Sequence, residues 1–224
     1  MIELAVFLGN PGKEYSRNRH NVGFLLAENL PFNKELSWQK KYKGLYTAIE
    51  RNLISGYVPD SAALDKSDIS GRLHFLKPET YMNLSGESVS KAAGFFKIKS
   101  QSILVVHDEL ELPFGTISLK YSGGLGGHKG LRSMKACLGT ADFWRIKIGI
   151  GRPDNRLPGE GGPPGSGEGI VDWVLSDFTV AENETLKMVL EAGTELLLKT
   201  FFCEPEGLLK EWQKKKISLP AILD

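Results

Sequence analysis

Residues 4–12 read Leu4-Ala5-Val6-Phe7-Leu8-Gly9-Asn10-Pro11-Gly12: five apolar residues without a charge, then a Gly/Asn/Pro cluster that ends any regular element. A run this short and this uniformly apolar predicts a strand buried on both faces that delivers its last residues to a loop. Two further runs behave alike, Leu73-His74-Phe75-Leu76 ahead of Pro78 and Ile103-Leu104-Val105-Val106 ahead of His107-Asp108. A fourth strand alternates at Ile117, Leu119 and Tyr121, and a fifth runs from Trp144 to Ile150 with Ile146, Ile148 and Ile150 on one face. Helical spacing falls between them, at Val22 to Leu30, Ser85 to Phe96 with Ser85 as N-cap, Leu131 to Leu138, and a long amphipathic stretch from Val180 to Phe202. Strands alternating with helices predict an α/β fold: a single domain over residues 1–224, with a twisted mixed (mostly parallel) sheet covered by helices on both faces. Functional loops gather at strand ends in such folds. Two stretches read as surface insertions, 55–72, polar and turn-rich, and 157–169, dominated by Gly and Pro.

Bulk properties bound the class. The chain has 224 residues, 41% hydrophobic and 25% charged, with no apolar run near the ~18 residues of a membrane span. Its N-terminus lacks the basic and small-residue features of a leader. Cys137 and Cys203 each neighbour apolar residues and form no CxxC pair, so buried thiols in a cytoplasmic protein are expected. The net charge of +1 hides an asymmetry: between Gly115 and Arg156 eight basic residues meet only Asp142 and Asp154, leaving +6 there and −5 elsewhere. Local basicity of this kind steers a polyanion.

Four clusters can carry chemistry. The first joins Gly9-Asn10-Pro11-Gly12 and Tyr15 to Arg19-His20-Asn21, placing an imidazole and two carboxamides at one strand end. With an ordinary pKa near 6.5, His20 can take a proton from water at neutral pH. The second, Lys77-Pro78-Glu79-Thr80-Tyr81-Met82-Asn83, again between strand and helix, offers an aromatic to stack, a thioether to pack and an amide to hydrogen-bond. Met82 facing the core is the plainer reading of that segment. In the third, His107-Asp108-Glu109, Asp108 can accept the second ring N–H of His20 and fix its tautomer. A metal at these three adjacent residues is disfavoured, because neighbours along a strand rarely converge on one ion. The fourth, from Lys120 through Gly123-Gly124-Leu125-Gly126-Gly127-His128-Lys129-Gly130, is glycine-rich ahead of a helix but matches neither the dinucleotide nor the nucleoside-triphosphate loop pattern. No G-x-S-x-G elbow is present, which argues against a serine hydrolase.

Taken in this order and spacing, the four clusters resemble the bacterial-type peptidyl-tRNA hydrolase family from Leu4 to about Pro153, with a weaker fit through the C-terminal helices. The resemblance implies an α/β domain without cofactor or metal, usually a monomer in the cytoplasm, that hydrolyses the ester joining a peptide to the terminal ribose of tRNA. Residue by residue it implies His20 as general base, Asp108 as its partner, and Asn10 as the amide that separates N-blocked from free aminoacyl-tRNA. It further implies substrate contacts at Tyr15, Tyr81, Met82 and Asn83, and basic residues near the tRNA at Lys120 and Lys147. One position departs: the family's usual asparagine after Gly-Gly-His is Lys129 here, a cation that cannot accept a hydrogen bond. A catalytically silent RNA-binding or splicing relative of the same fold is the alternative, and a small-molecule esterase a third.

Overall fold

The computed structural model describes residues 1–58, 70–153 and 167–217. Most of the two expected insertions, 59–69 and 157–166, therefore lies outside the described residues. Among the described residues, eight strands form one sheet in the order β2-β3-β4-β1-β5-β7-β6-β8. They are β1 (Leu4–Phe7), β2 (Gln39–Lys41), β3 (Gly44–Glu50), β4 (Arg72–Pro78), β5 (Ile103–Glu109), β6 (Thr116–Tyr121), β7 (Trp144–Gly149) and β8 (Lys215–Lys216). The opening run does sit at the centre, parallel to β4 on one side and β5 on the other, and β7 continues the parallel set. Parallel pairing is confined to these four strands. Both flanks are antiparallel, so among the described residues the mixed sheet has three parallel and four antiparallel pairings and is not the mostly parallel one expected, because β2, β3, β6 and β8 join it antiparallel at its edges.

Alternation in β1 divides the core. Ala5 and Phe7 face a layer containing α1 (Val22–Glu28) and α6 (Asn183–Phe202), through Leu26, Val189 and Leu197. Leu4, Val6 and Leu8 face α3 (Ser85–Phe96) and α4 (Lys129–Leu138), through Val89, Leu131 and Met134. Helices thus cover both faces, as the pattern predicted. The α3–α4 contact needs Gly86, since a Cβ there would lie 2.2 Å from the Ser133 carbonyl oxygen.

Three local expectations change, and one hairpin has no counterpart among them. Ser85 is the first helical residue rather than the N-cap: the 3-10 turn Met82–Leu84 already starts the helix, and Ser85 Oγ donates to the Met82 carbonyl at 2.9 Å. The Gly/Pro stretch ends earlier than expected, because α5 (Gly167–Leu175) begins at Gly167. Its helix follows from the apolar spacing of Ile170, Val174 and their neighbours, which outweighs the glycines of its first turn. Cys137 is exposed and Cys203 half-buried. Beyond Met134 only Leu138 still packs against the core, and Lys135, Ala136 and Cys137 face outward. The β2–β3 hairpin turns at Tyr42 and Lys43, both at positive φ (54° and 56°), where Asn-Gly would be the usual signal. Ring contacts of Tyr42 with Tyr46 and Phe96 hold that turn instead.

Candidate active site

A cavity of about 600 Å³ opens where β1, β4 and β5 end, and it is lined by Asn10, His20, Tyr81, Met82, Asn83, Asp108, Lys129 and the inner face of α5. His20 arrives on the 3-10 turn Arg19–Asn21 just before α1, and Asp108 on the last turn of pleat in β5. The His20 Nδ1–H donates to Asp108 Oδ1 at 2.8 Å, leaving Nε2 for the cavity. Burial is the largest influence on the imidazole and lowers its pKa. The charge and hydrogen bond of Asp108 together outweigh it and raise His20 above 6.5, while the Lys129 ammonium pulls the other way. Burial likewise opposes ionisation of Asp108, but the two imidazoles beside it hold the carboxyl well below 3.8.

The second imidazole is His128, quoted within the glycine-rich loop but not assigned a role from sequence. It caps α4: its Nδ1 accepts the backbone N–H of Gly130 and of Leu131 at 3.1 and 3.3 Å. The ring proton therefore resides on Nε2, which donates to the same Asp108 Oδ1 at 3.0 Å. One carboxylate oxygen thus receives both histidines, and one of them is pinned by a helix terminus. A histidine at an N-cap position after a Gly-Gly turn was the available signal, hidden because Ser, Thr, Asp and Asn are the expected caps. His107, behind them, is pushed well below 6.5 by burial and by His128, and its Nδ1–H donates to the Asp108 carbonyl at 2.7 Å.

Asn10 is oriented before any substrate arrives. Its Oδ1 accepts the Met82 N–H at 2.8 Å, which turns its amide Nδ2 toward the cavity as a donor. Its backbone is clasped by Asn21, whose Oδ1 accepts the Asn10 N–H at 2.8 Å and whose Nδ2 donates to the Asn10 carbonyl at 3.0 Å. Asn83, by contrast, is exposed on its 3-10 turn, and Tyr81 is 59% exposed at the rim. Met82 is buried, packing against Gly130, where a Cβ would approach its Sδ to 2.6 Å, so it serves the core and the cavity wall together.

Arg19, next to His20, is 2% exposed and clamps the opposite wall. Its guanidinium makes a bidentate pair with Glu182 at 2.8 and 2.9 Å and lies 3.9 Å from the centre of the Trp173 ring on α5. α5 in turn presents Ile170 and Val174 to the cavity. Tyr15, Lys120 and Lys147 do not line the cavity. Lys147 pairs with Glu109 at 2.7 Å, and Lys120 is exposed on β6.

Among the described residues, His20, Asp108 and His128 bring three potential ligand atoms within 4.8 Å of one another. These are the atoms already hydrogen-bonded to each other, so a cation there would have to displace both ring protons from Asp108. His107, Asp108 and Glu109 do not converge, because consecutive strand residues point to opposite faces.

A histidine paired through one nitrogen with a carboxylate, beside a preset amide and at the end of an open α/β sheet, is an arrangement suited to hydrolysis. The family model of peptidyl-tRNA hydrolase matches residues 4–219. A peptidyl-tRNA hydrolase of Treponema pallidum is 42% identical over 219 residues, covering 96% of both chains, and one of Neisseria meningitidis is 46% identical over 155 residues, covering 69% of this chain and 73% of that one. The crystal structure of peptidyl-tRNA hydrolase from Acinetobacter baumannii superposes with a TM-score of 0.69 at 30% identity, over 95% of this chain and 92% of that one. The chain belongs to the peptidyl-tRNA hydrolase family, and its class of chemistry is hydrolytic. No helix among the described residues is long and apolar enough to cross a membrane.

Proposed function

We propose that His20 is the general base for hydrolysis of the ester between a peptide, or an N-blocked aminoacyl group, and the terminal ribose of tRNA. The observation that carries this reading is the His20–Asp108 pair with Nε2 left open to the cavity. Nε2 takes a proton from a water molecule as its oxygen attacks the ester carbonyl. Asp108 keeps the acceptor nitrogen on the cavity side and stabilises the imidazolium that forms. The Asn10 amide, oriented by Met82 and Asn21, donates to the developing oxyanion, a task the exposed Asn83 is less prepared for. Collapse of the tetrahedral intermediate breaks the bond to the ribose oxygen, which recovers the proton from His20. General-base assistance supplies about 10²–10⁴ in rate and one oxyanion donor about 10²–10³, so both are needed.

The tRNA body is assigned to the β7–β6 flank. Lys120 is exposed there, whereas Arg145, opposite it across the sheet, is buried and donates to the Gly124 carbonyl at 2.8 Å, so Lys120 is the cation of the pair that faces outward. From the register, Lys120 is three residues along and two strands across from Asp108, roughly 14 Å, a distance suited to a neighbouring phosphate rather than the ester. Tyr81, Asn83 and Lys129 then meet the terminal nucleotide, with Lys129 contributing charge where an amide is usual. The test is release of the acyl group from N-acetyl-aminoacyl-tRNA, compared with the same ester on a short 3′-terminal fragment. Efficient release that falls on truncation supports the assignment. Equal rates on both would indicate a small-molecule esterase, and binding without release a silent RNA-binding relative.

A further inference from the structure

Arg145 belongs to the basic segment but not to its surface. It is 1% exposed on β7, and the register with β5 puts it on the same face of the sheet as His107 and Glu109. Its Nη1 donates to the Gly124 carbonyl at 2.8 Å, while Nε and Nη2 have no hydrogen-bond partner among the described residues. A buried guanidinium with so few partners costs desolvation that an apolar side chain of similar volume would avoid. Its one bond goes to the glycine-rich loop that leads into His128. We propose that Arg145 is a positioning residue for the hydrolytic centre: by tying the loop Gly123–Gly127 to the sheet it keeps His128 on Asp108, and thereby Asp108 on His20. The proposal rests on the hydrolytic reading above.

Left to itself the loop has little to hold it. Every residue from Gly123 to Gly127 except Leu125 is glycine, so ordering it costs more backbone entropy than ordering other residues would. Ser122, Gly123, Gly126 and Gly127 are fixed at positive φ, at 52°, 86°, 58° and 75°. The upstream end is anchored by Ser122, whose N–H donates to the Phe143 carbonyl at 3.1 Å and whose Oγ donates to Asp142 at 2.7 Å. The downstream end is His128 itself. Between them, among the described residues, the Arg145 bond is the hydrogen bond that joins the loop to the sheet, and Leu125 adds apolar packing toward α3 and α4. The loop lies directly on this part of the sheet: a Cβ on Gly123 would stand 3.8 Å from Arg145 Nη2, and one on Gly126 3.4 Å from Glu109 Oε1. Glu109 is itself paired with Lys147 at 2.7 Å. The nearby charges that shift His20 are those of Asp108 and Lys129, so Arg145 reaches the base through geometry rather than through its own charge.

The test is a double-mutant cycle on release from N-acetyl-aminoacyl-tRNA, with folding of each variant checked by circular dichroism. Arg145→Met keeps much of the volume but neither donor nor charge. It should lower kcat about tenfold or more in the native background and less than about twofold in His128→Ala, where the link it breaks is already gone. Arg145→Lys retains the charge without the planar fork and should fall between native and Arg145→Met; it carries the same cycle if Arg145→Met does not fold. A second readout needs no turnover. The His128 Nε2 proton, held on Asp108, should give a downfield proton resonance that is absent from His128→Ala, and Arg145→Met should broaden or abolish it. Equal fold losses in both backgrounds, or an unchanged resonance, would overturn the proposal. So would a loss confined to KM with an altered salt dependence, which would assign Arg145 to tRNA. A native protein that releases no acyl group, yet loses the resonance on Arg145→Met, would instead remove the hydrolytic reading and leave the positioning role standing.

Discussion

At the scale of single residues, protonation decides the pH profile. His20 must be neutral to accept a proton, and its value is raised above 6.5, so kcat/KM should climb with pH through a midpoint above 6.5. Asp108→Asn removes the charge that raises the imidazole while its burial remains. That limb should then move to lower pH even as the rate drops, by up to about 10⁴ if the wrong tautomer dominates. Lys129→Asn removes a lowering influence and should move the limb upward. Rate–pH profiles of the three proteins decide the sign in each case. His128 separates two roles. His128→Ala should lose about 1 kcal/mol or more of stability with the helix cap and slow turnover as Asp108 loses its second partner. His128→Asn can restore a capping acceptor but is too short for Asp108, so urea midpoints should recover while kcat does not. Of these residues, Asn10 and Asp108 were legible because each closely follows an apolar strand run, and His20 because it stands just ahead of the apolar run of α1. His128 was not, since its importance comes from a helix terminus and a carboxylate remote in sequence.

At the scale of elements, the wall opposite the base is fastened through Arg19. Its pair with Glu182 and its contact with Trp173 join the His20 turn to α5 and to the start of α6. Arg19→Lys keeps the charge but loses the planar fork, and removing such a bidentate buried contact should lower stability by about 2–4 kcal/mol. KM should rise more than kcat falls, because the displaced α5 face contributes cavity surface rather than a reacting group. The central strands and the long C-terminal helix could be read from apolar periodicity alone. β2 and β3 could not. β2 is exposed throughout and β3 buries Thr47 and Ile49 on one face but Gly44 on the other, too mixed to show as alternation, and Tyr42 and Lys43 adopt positive φ without an Asn-Gly turn. α5 escaped notice for a related reason, its apolar run being short and introduced by glycines.

Across the whole molecule, the parallel centre of the sheet ends at the cavity, and the antiparallel β7–β6 flank carries the exposed Lys120 proposed to meet tRNA. Lys120→Ala should weaken tRNA binding and flatten the dependence of log K on log salt by about one phosphate contact, a slope change measurable by titration at several ionic strengths. The net charge of +1 gave no hint of this, because the basic segment is offset by acidic residues elsewhere. Everything else depends on the base. The most direct measurement is therefore single-turnover release from N-acetyl-aminoacyl-tRNA by the native protein and by His20→Ala, with tRNA affinity determined on the same samples. Loss of release by about 10³ or more, with affinity kept within about threefold, is the expected result; release by His20→Ala at a rate near native would contradict the assignment of His20 as the general base.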